Sequence, residues 1–429
     1  MRSSASAVVL AMCCLSGVMT PCAGFSISPM GFMHGGGRAA NARGMEKSFS
    51  SKKIVFTIPP SLRTQSSPAS ALRMTELEVG PYQYSVDFVP CYRDGVSQIR
   101  NNHSRLLPHL EHIRKQEFFR LFAVDLLSSC TYMPTEDSPC EMDKCEIECS
   151  EDVPDKMRER DTTEHDFRLD GWVRWDMPGD FTDYYDLVQE PERWTEYDGR
   201  VVWKFIHERI CFQVDINDPE NAWKRDFNRA ISGLHASVSA HVLENMMEVK
   251  GWDYDSDEAF AEYKRRISNH PEAIANLHFS YMIMLCAIHE AAPRLKNCSY
   301  MGTADQVLPS MLALTSDPLL VHEDVQKAAA SMRRHATSSS AKVWKARLRT
   351  RDLLGTMNCV QCNLCRLHGK VAALGLSVSL QILLGDEGMG GSYEDLHRVE
   401  IAGLLTTAAK FGHAVEVVGK FERRRLGSM

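Results

Sequence analysis

The sequence predicts a mostly α-helical protein, built as a single helical domain that carries one long loop. From Tyr184 onward, apolar residues recur with the period of a helix. Alternating patterns typical of strands are scarce, and no GxGxxG motif follows a strand-like segment. The absence of that motif argues against a Rossmann-type dinucleotide site, and no internal repeat is visible.

The N-terminus has the features of a targeting segment. Arg2 supplies a positive charge, an apolar stretch follows to about Met19, and small residues surround positions 22–24. The stretch is too short for a comfortable membrane span, so we predict a signal peptide over residues 1–23. No later stretch is expected to cross a membrane. Residues 24–79 have few large apolar residues and are predicted to be a disordered leader, followed by the helical domain at 80–425.

Helices are predicted at intervals along this domain. The apolar spacing over 97–127 suggests helices that end in the run FFRLF, and a strongly periodic helix covers 226–249. A third covers 275–292 and is expected to stop at Pro293. Further helices are predicted at 304–315, 322–335, 340–356, 370–385 and 396–420.

Residues 131–181 interrupt this helical pattern. They contain several prolines, many charges and the run CEMDKCEIEC, which holds Cys140, Cys145 and Cys149. Loops of this length inside a domain are usually functional or disordered, so we predict a mobile loop. A Cys-x4-Cys pair in such a loop can reach outward to the thiols of a partner and inward to a buried site.

Composition and cysteine content indicate the class of protein. The net charge is −7 and no basic stripe with interleaved aromatic residues appears, so nucleic acid is not expected as a partner. Of the 14 cysteines, three lie in the predicted signal peptide, and the other eleven would meet an oxidising lumen where disulfides persist. Two glycosylation sequons, at Asn102 and Asn297, agree with that compartment, although the C-terminus is not a KDEL-type signal.

A second cysteine run, CVQCNLC, places Cys359, Cys362 and Cys365 between two predicted helices. A Cys-x-x-Cys pair at a helix start suits redox chemistry, because the helix N-terminus favours a thiolate and a strained small disulfide exchanges readily. Arg366, His368 and Lys370 follow and are expected to favour the thiolate further. Purely structural disulfides, a zinc site and the start of an iron–sulfur run fit the same spacing and stay open.

A flavin would reoxidise such thiols, and two segments carry suitable groups. Arg193 and Thr195, in EPERWTEY, offer a guanidinium fork and a hydroxyl for phosphate. In SGLHAS, Gly233 would let a flat ring approach a helix, and polar Ser232 and His235 need partners there. Taken alone, however, the second segment is better explained by a glycine that serves helix packing and a histidine satisfied within the core.

Four blocks together resemble the endoplasmic reticulum oxidoreductin family, FAD-dependent helical thiol oxidases that act on protein disulfide isomerases. The blocks are CEMDKC, YYDLVQEPERWTEYDG, ISGLHASVSAH and NCVQCNLCRLHGKVAALGLSVSLQILL, in family order, within a similarity that runs from about 82 to 422. The resemblance implies a helical-bundle flavin site served by a cysteine-bearing shuttle loop.

The resemblance also implies roles for individual residues. Cys362 and Cys365 match the active pair beside the flavin, and Cys140 and Cys145 match the shuttle pair. Cys359 matches a cysteine that the family bonds to one corresponding to Cys130, and Cys149 matches a regulatory cysteine. The positions that match flavin contacts are Arg193, Thr195, Ser232 and His235.

The sequence departs from the family pattern at several cofactor and cysteine positions. A flavin-contacting tryptophan corresponds to Ile206, although Trp203 lies nearby and is included among the expected contacts. Two phosphate-binding arginines correspond to Ala273 and Cys286, for which Arg265 or Arg266 are the nearest substitutes. The N-terminal cysteine cluster is reduced to Cys91, and the usual partner of Cys211 is absent. The pairing of Cys91, Cys211, Cys286 and Cys298 stays open.

The function expected from this resemblance is FAD-dependent oxidation of protein disulfide isomerase in the lumen of the endoplasmic reticulum. Electrons would pass from the partner to Cys140–Cys145, then to Cys362–Cys365, then through FAD to dioxygen, which becomes hydrogen peroxide. The alternative functions are those of a flavin-deficient, non-catalytic isomerase-binding protein of the same fold and of a zinc-binding structural protein. No bound metal is expected in the oxidase, and peripheral membrane association is left open.

Overall fold

The structure, a computed structural model, describes most of the helical domain. The described residues are 103–132, 147–150, 152–155, 157, 183–194, 200–215, 218, 221–296, 304–336, 340–385 and 396–427. The predicted signal peptide, the leader and nearly all of the 131–181 loop, including Cys140 and Cys145, lie outside these ranges.

Helices make up most of the described chain, which confirms the predicted fold class. Helix α1 covers 103–114 and the short α2 covers Glu117–Arg120. The remaining helices are α3 (Arg200–Phe205, continued by a π-helical turn Ile206–Ile210), α4 (Ala222–Lys250), α5 (Asp257–Tyr263, with a π-helical turn Lys264–Ser268), α6 (Pro271–Lys296), α7 (Ala304–Thr315), α8 (Glu323–Ala336), α9 (Ser340–Thr356), α10 (Asn363–Leu384) and α11 (Arg398–Gly427).

The four longest helices, α4, α6, α10 and α11, all pack against one another and form the centre of the domain. Small residues set their closest crossings. A Cβ added at Gly375 of α10 would lie 2.2 Å from Thr407 Oγ1 and 2.5 Å from the Gly403 carbonyl of α11. Because α10 is buried on nearly every side, its sequence is apolar all round rather than along one stripe.

Two short strands are the clearest departure from the predicted helices. Strand β1 (Leu121–Val124) pairs antiparallel with β2 (Asp183–Asp186), so that Phe122 faces Tyr185. The sequence predicted helix through this segment, but LFAV is a continuous apolar run, and such a run does not distinguish a buried strand from a buried helix. The buried Arg398 of α11 holds this segment by donating to the carbonyls of Phe118 and Leu121.

Two other expectations about the helices need correction. Helix α6 continues through Pro293 to Lys296, because this proline lies exposed in the last turn, where one lost hydrogen bond is easily replaced by water. Two helical segments, Asn363–Leu384 and Arg398–Arg425, are long and apolar enough to cross a membrane, contrary to our expectation. In this fold 94% and 83% of their apolar stretches are buried within the protein.

Candidate functional site

Cys362 and Cys365 lie at the start of α10, deep inside the domain. Cys362 is the N-cap residue, and its sulfur accepts a hydrogen bond from the Cys365 backbone N–H at 3.3 Å. Both side chains are fully buried. The chain therefore places the pair at the positive end of a 22-residue helix, the position that the redox interpretation requires.

The two sulfurs are in different chemical states. Cys362 belongs to a disulfide. Cys365 retains its thiol and donates it to the Arg193 carbonyl at 2.8 Å. Cys362 is thus a half-cystine in this structure, and Cys365, three residues later, is a thiol.

The third cysteine of the run, Cys359, is bonded to Cys130, the pair that the resemblance implies. This disulfide joins the segment after β1 to the residues just before α10, across 229 positions of sequence. Cys359 and Cys362 are both bonded in disulfides. Two of the three sulfurs of CVQCNLC are therefore not available as thiolate ligands for a metal. Within the described ranges, no group of three or more His, Cys, Asp or Glu side chains is arranged to hold a metal ion.

Two basic residues after Cys365 donate to backbone carbonyls of neighbouring segments. Arg366 donates to the carbonyls of Val360, at 2.7 Å, and Leu126. Lys370 donates to the Asp125 carbonyl at 2.5 Å. Through Leu126 and Asp125, these two cations tie the segment between β1 and Cys130 to α10.

The SGLHAS segment of α4 brings a stacked pair of rings into the interior. Trp203 of α3 lies parallel to His235, with ring centroids 4.3 Å apart and 16° between the planes. Burial, with smaller contributions from the neighbouring His207, His270 and Arg266, lowers the pKa of His235 to about 3, so its imidazole is neutral. Trp203 is therefore the aromatic residue that stacks on His235, whereas Ile206, at the position of the family tryptophan, is fully buried.

The neighbours of His235 in SGLHAS have packing partners. Ser232 accepts a hydrogen bond from Asn276 Nδ2 at 3.1 Å. A Cβ on Gly233 would lie 2.0 Å from Ser280 Oγ and 2.3 Å from the Asn276 carbonyl, both on α6. Gly233 is thus explained by the close crossing of α4 and α6, the explanation that the sequence alone favoured.

The residues expected to bind phosphate differ in exposure and charge, and one of them lies outside the described residues. Arg193 is an exposed residue and its backbone reaches Cys365, whereas Thr195 lies outside the described residues. Ala273 is partly buried and Cys286 is fully buried, and neither carries a charge. Of the two nearby arginines, Arg266 is largely buried against Glu262 and its charge lowers the pKa of His235, whereas the Arg265 side chain is half exposed.

The remaining cysteines differ in accessibility. Cys149 is exposed beside β2, where its sulfur and the buried Tyr185 hydroxyl interact. Cys211 is buried, 3.7 Å from His207 Nδ1, and burial raises its pKa to about 12. Burial likewise raises the pKa of Cys286 to about 11, so both are unreactive thiols. Cys91 and Cys298 lie outside the described residues.

The sequence did not single out a buried ionic cluster beside Cys365. Glu192 lies against Lys410 of α11, and His241 of α4 and His368 of α10 complete the group. These residues are scattered over more than 200 positions, so no local pattern could have revealed them. In the sequence, the available indications were Lys410, a lysine within the apolar pattern of α11, and Glu192, a carboxylate next to Arg193.

A family model now identifies the chain. The model of the Endoplasmic Reticulum Oxidoreductin 1 (ERO1) family matches residues 105–418, which is more than half of the sequence. The chain belongs to the ERO1 family. The match begins inside α1 and ends inside α11, so it covers nearly all of the described helical domain.

Individual relatives agree with this assignment. The chain is 25% identical over 379 residues to the endoplasmic reticulum oxidoreductin-1 of Eremothecium gossypii, covering 76% of this chain and 66% of that one. It is 26% identical over 398 residues to the Arabidopsis thaliana protein of the same name, covering 80% of each. The chain therefore spans slightly less than two thirds of the fungal relative.

Solved structures show the same fold. The structure described as that of Ero1p, source of disulfide bonds for oxidative protein folding in the cell, superposes with a TM-score of 0.61. The identity is 22%, and the alignment covers 78% of this chain and all of that one. At this level of identity, the comparison shows that the two proteins share a fold.

Proposed function

We propose that this ERO1-family protein is an oxidoreductase of oxidative protein folding, and that it oxidises the dithiols of protein disulfide isomerase. The observation that carries the proposal is the state of the pair at the start of α10. Cys362 is engaged in a disulfide while Cys365, three residues later, keeps its thiol against the Arg193 carbonyl. That arrangement is what a dithiol–disulfide exchange passes through.

The proposed exchange balances at each step. A partner dithiol attacks the Cys140–Cys145 disulfide, so that the partner is oxidised and both loop cysteines become thiols. One loop thiolate then attacks Cys362 and displaces the Cys365 sulfur, and the second loop thiolate attacks the resulting mixed disulfide. The loop disulfide is restored and Cys362 and Cys365 become thiols. In this scheme Cys149 regulates access to the loop pair rather than carrying electrons.

FAD is the proposed electron acceptor for the reduced pair. When bound, it would take two electrons and pass them to dioxygen, which becomes hydrogen peroxide. The chemistry of the donor set fits the ring end of this cofactor: a neutral buried imidazole, His235, stacked on the Trp203 indole, with Ser232 three residues before His235. Arg193 and Thr195 would bind phosphate, with Arg266 taking the place of the arginines replaced by Ala273 and Cys286.

The proposed location is the lumen of the endoplasmic reticulum. The relatives' printed names support the organelle. The predicted signal peptide and the Cys130–Cys359 disulfide fit an oxidising compartment. Peripheral membrane association would then be through a partner or another surface, since the apolar helices α10 and α11 are occupied in the core.

A flavin-deficient isomerase-binding protein is the second candidate. The observation that favours it is the loss of positive charge at Ala273 and Cys286. Both candidates keep the fold and the cysteines, so cofactor content distinguishes them. The zinc-binding alternative is less favoured, because Cys359 and Cys362 are held in disulfides.

The first experiment is the visible spectrum, the FAD released on denaturation and the metal content of the purified full-length chain. A yellow protein that releases FAD supports the oxidase. A colourless protein without FAD would refute the oxidase and favour the flavin-deficient binding protein. Stoichiometric zinc would favour the zinc-binding structural protein.

The second experiment follows oxygen consumption with a reduced thioredoxin-like substrate and with a small dithiol. Cys362→Ala is expected to abolish both activities. Cys140→Ala should reduce turnover of the protein substrate more than turnover of the small dithiol, because only the former needs the loop. Cys211→Ala, at a buried thiol, is the matched control and should keep both. Undiminished activity in Cys362→Ala would contradict the assignment.

A further inference from the structure

A buried ionic cluster lies one helical turn from the active cysteines. Its members are Glu192, from the segment after β2, and Lys410, His241 and His368 from three different helices. Their side chains are between 3% and 14% exposed. Burying charges is costly unless they are paired, so a complete cluster here indicates a specific role.

The charges within this cluster are balanced. Burial alone would raise the pKa of Glu192, but the nearby Lys410, His241 and His368 lower it far below the ordinary value, so the carboxylate is ionised. Burial lowers the pKa of Lys410, and the contact with Glu192 opposes that effect. Burial also lowers the pKa of His368 to about 3, which leaves its imidazole neutral. The cluster therefore contains an ion pair between Glu192 and Lys410, flanked by the neutral His368.

Hydrogen bonds connect this ion pair to the polypeptide backbone on both sides. His368 Nε2 donates to the Glu190 carbonyl at 2.6 Å, because a carbonyl oxygen can only accept. Its Nδ1 then offers a lone pair to Lys410 Nζ at 3.2 Å. His241 Nε2 contacts the Lys410 carbonyl at 3.1 Å, while its Nδ1 lies 3.4 Å from Glu192 Oε2. The segment that contains Glu190 and Glu192 is thus fixed to α4, α10 and α11.

The same segment carries the carbonyl that accepts the Cys365 thiol. Cys365 and His368 lie three residues apart on one face of α10. Cys365 donates to the Arg193 carbonyl at 2.8 Å and His368 to the Glu190 carbonyl at 2.6 Å. Glu192 lies between these two anchor points, so its ion pair with Lys410 determines where the Arg193 carbonyl sits relative to the sulfur.

We propose that Glu192 and Lys410 are positioning residues that hold the Arg193 carbonyl on the Cys365 thiol and thereby stabilise the reduced state of Cys365. This inference rests on the proposed redox role of Cys362 and Cys365. A hydrogen bond from Sγ–H to a carbonyl exists only while the sulfur is a thiol, because a disulfide sulfur has no proton to donate. The ion pair therefore favours the dithiol over the Cys362–Cys365 disulfide and makes the pair a stronger oxidant.

The test is the equilibrium of the Cys362–Cys365 pair with glutathione redox buffers in the full-length protein. Thiols are alkylated after acid quenching, and the peptide containing both cysteines is quantified by mass spectrometry. Glu192→Gln and Lys410→Met are each expected to shift the equilibrium about fivefold toward the disulfide, the size expected for loss of one hydrogen bond. Lys410→Arg keeps the charge and should remain close to the wild-type value.

The matched control is Glu422→Gln. Glu422 is also a buried carboxylate, three turns further along α11, where it accepts a hydrogen bond from Tyr263 at 2.7 Å. It should lower stability without moving the glutathione equilibrium. If Lys410→Met does not fold, the isosteric Glu192→Gln and the charge-neutral double variant Glu192→Gln/Lys410→Met provide the same measurement. An unchanged equilibrium in folded Glu192→Gln and in the double variant would overturn the proposal.

The glutathione equilibrium needs neither FAD nor dioxygen, so it is independent of the test of the proposed function. A protein that consumes no oxygen but shows the fivefold shift would retain the positioning role and lose the oxidase assignment. A protein that is an active oxidase with an unshifted equilibrium would retain the function and lose the positioning role.

Discussion

The Trp203 indole and the His235 imidazole stack face to face, 4.3 Å apart, in the interior of the domain. The contact joins α3 to α4, and the tilted ring of His207 adjoins it at 5.8 Å. Because burial keeps His235 neutral, its ring can donate one hydrogen bond and accept another without the cost of a buried charge. The pair thus combines a flat apolar surface with a polar edge.

His235→Phe is expected to keep the stack with Trp203 but remove its hydrogen-bonding edge, and His235→Ala to remove both. If the proposed FAD site is correct, His235→Phe should bind FAD about tenfold more weakly, since a lost hydrogen bond in a buried site costs about 1–1.5 kcal/mol. His235→Ala should lose more. The measurement is FAD released per protein and a titration with added FAD. Equal FAD content in all three proteins would place the cofactor elsewhere.

Arg266 and Arg265 form a matched pair for testing how phosphate is held. Both contact Glu262, but Arg266 is largely buried and near His235, whereas Arg265 is half exposed. Arg266→Ala is expected to weaken FAD binding about tenfold or more, the effect of losing one charge-assisted hydrogen bond. Arg265→Ala should leave it unchanged. Equal effects from the two variants would show that Arg266 does not replace the cations missing at Ala273 and Cys286.

The helices could be predicted because their apolar periodicity is long and regular. Helix α9 has the predicted limits, and α4 and α8 differ from the prediction by a few residues at most. Helix α10 begins seven residues earlier than predicted, because Cys362 caps it and the segment before residue 370 is buried on all sides without a clear stripe. Strand β1 was missed because four consecutive apolar residues carry no period, and its pairing partner lies 59 or more residues away.

The candidate site was predictable only where chemistry is local in sequence. The CVQCNLC run at a helix start, and the polar residues of SGLHAS, were visible as patterns. The partners of those residues were not: the Arg193 carbonyl on Cys365, the Trp203 ring on His235 and the α6 backbone against Gly233 come from distant segments. Sequence alone therefore missed Glu192 and Lys410.

The close crossing of α4 and α6 makes a prediction about stability. Gly233→Ala should lower the free energy of unfolding by about 1–3 kcal/mol, because the new methyl group would overlap Ser280 and the Asn276 carbonyl and force the helices apart. Gly419→Ala in α11 is the control. Its nearest neighbour would be Arg423 at 3.8 Å, so it should stabilise the helix by up to about 1 kcal/mol. Urea unfolding followed by circular dichroism measures both, and an undestabilised Gly233→Ala would contradict the crossing.

The contact between Glu111 of α1 and His413 of α11 predicts how stability depends on pH. His413 Nε2 lies 2.8 Å from Glu111 Oε1, and Arg114 Nε also donates to this carboxylate. Burial alone would raise the pKa of Glu111, but the bonds from His413 and Arg114 lower it to about 2. The hydrogen bond to Glu111, which outweighs burial, raises the pKa of His413 above its usual value of 6.5.

The signs of these two shifts define a pH window for the contact. The Glu111 contribution is present above its unfolded value of 4.5 and is lost as pH falls toward about 2. The His413 contribution is complete below 6.5 and is lost as pH rises through the raised pKa. Glu111→Gln should therefore destabilise the protein most at about pH 5–6 and less at about pH 3 or 9, as measured by urea unfolding at each pH. Glu323→Gln, in a fully exposed pair with Lys327, should change little at any of these values, and a pH-independent effect of Glu111→Gln would contradict the assignment.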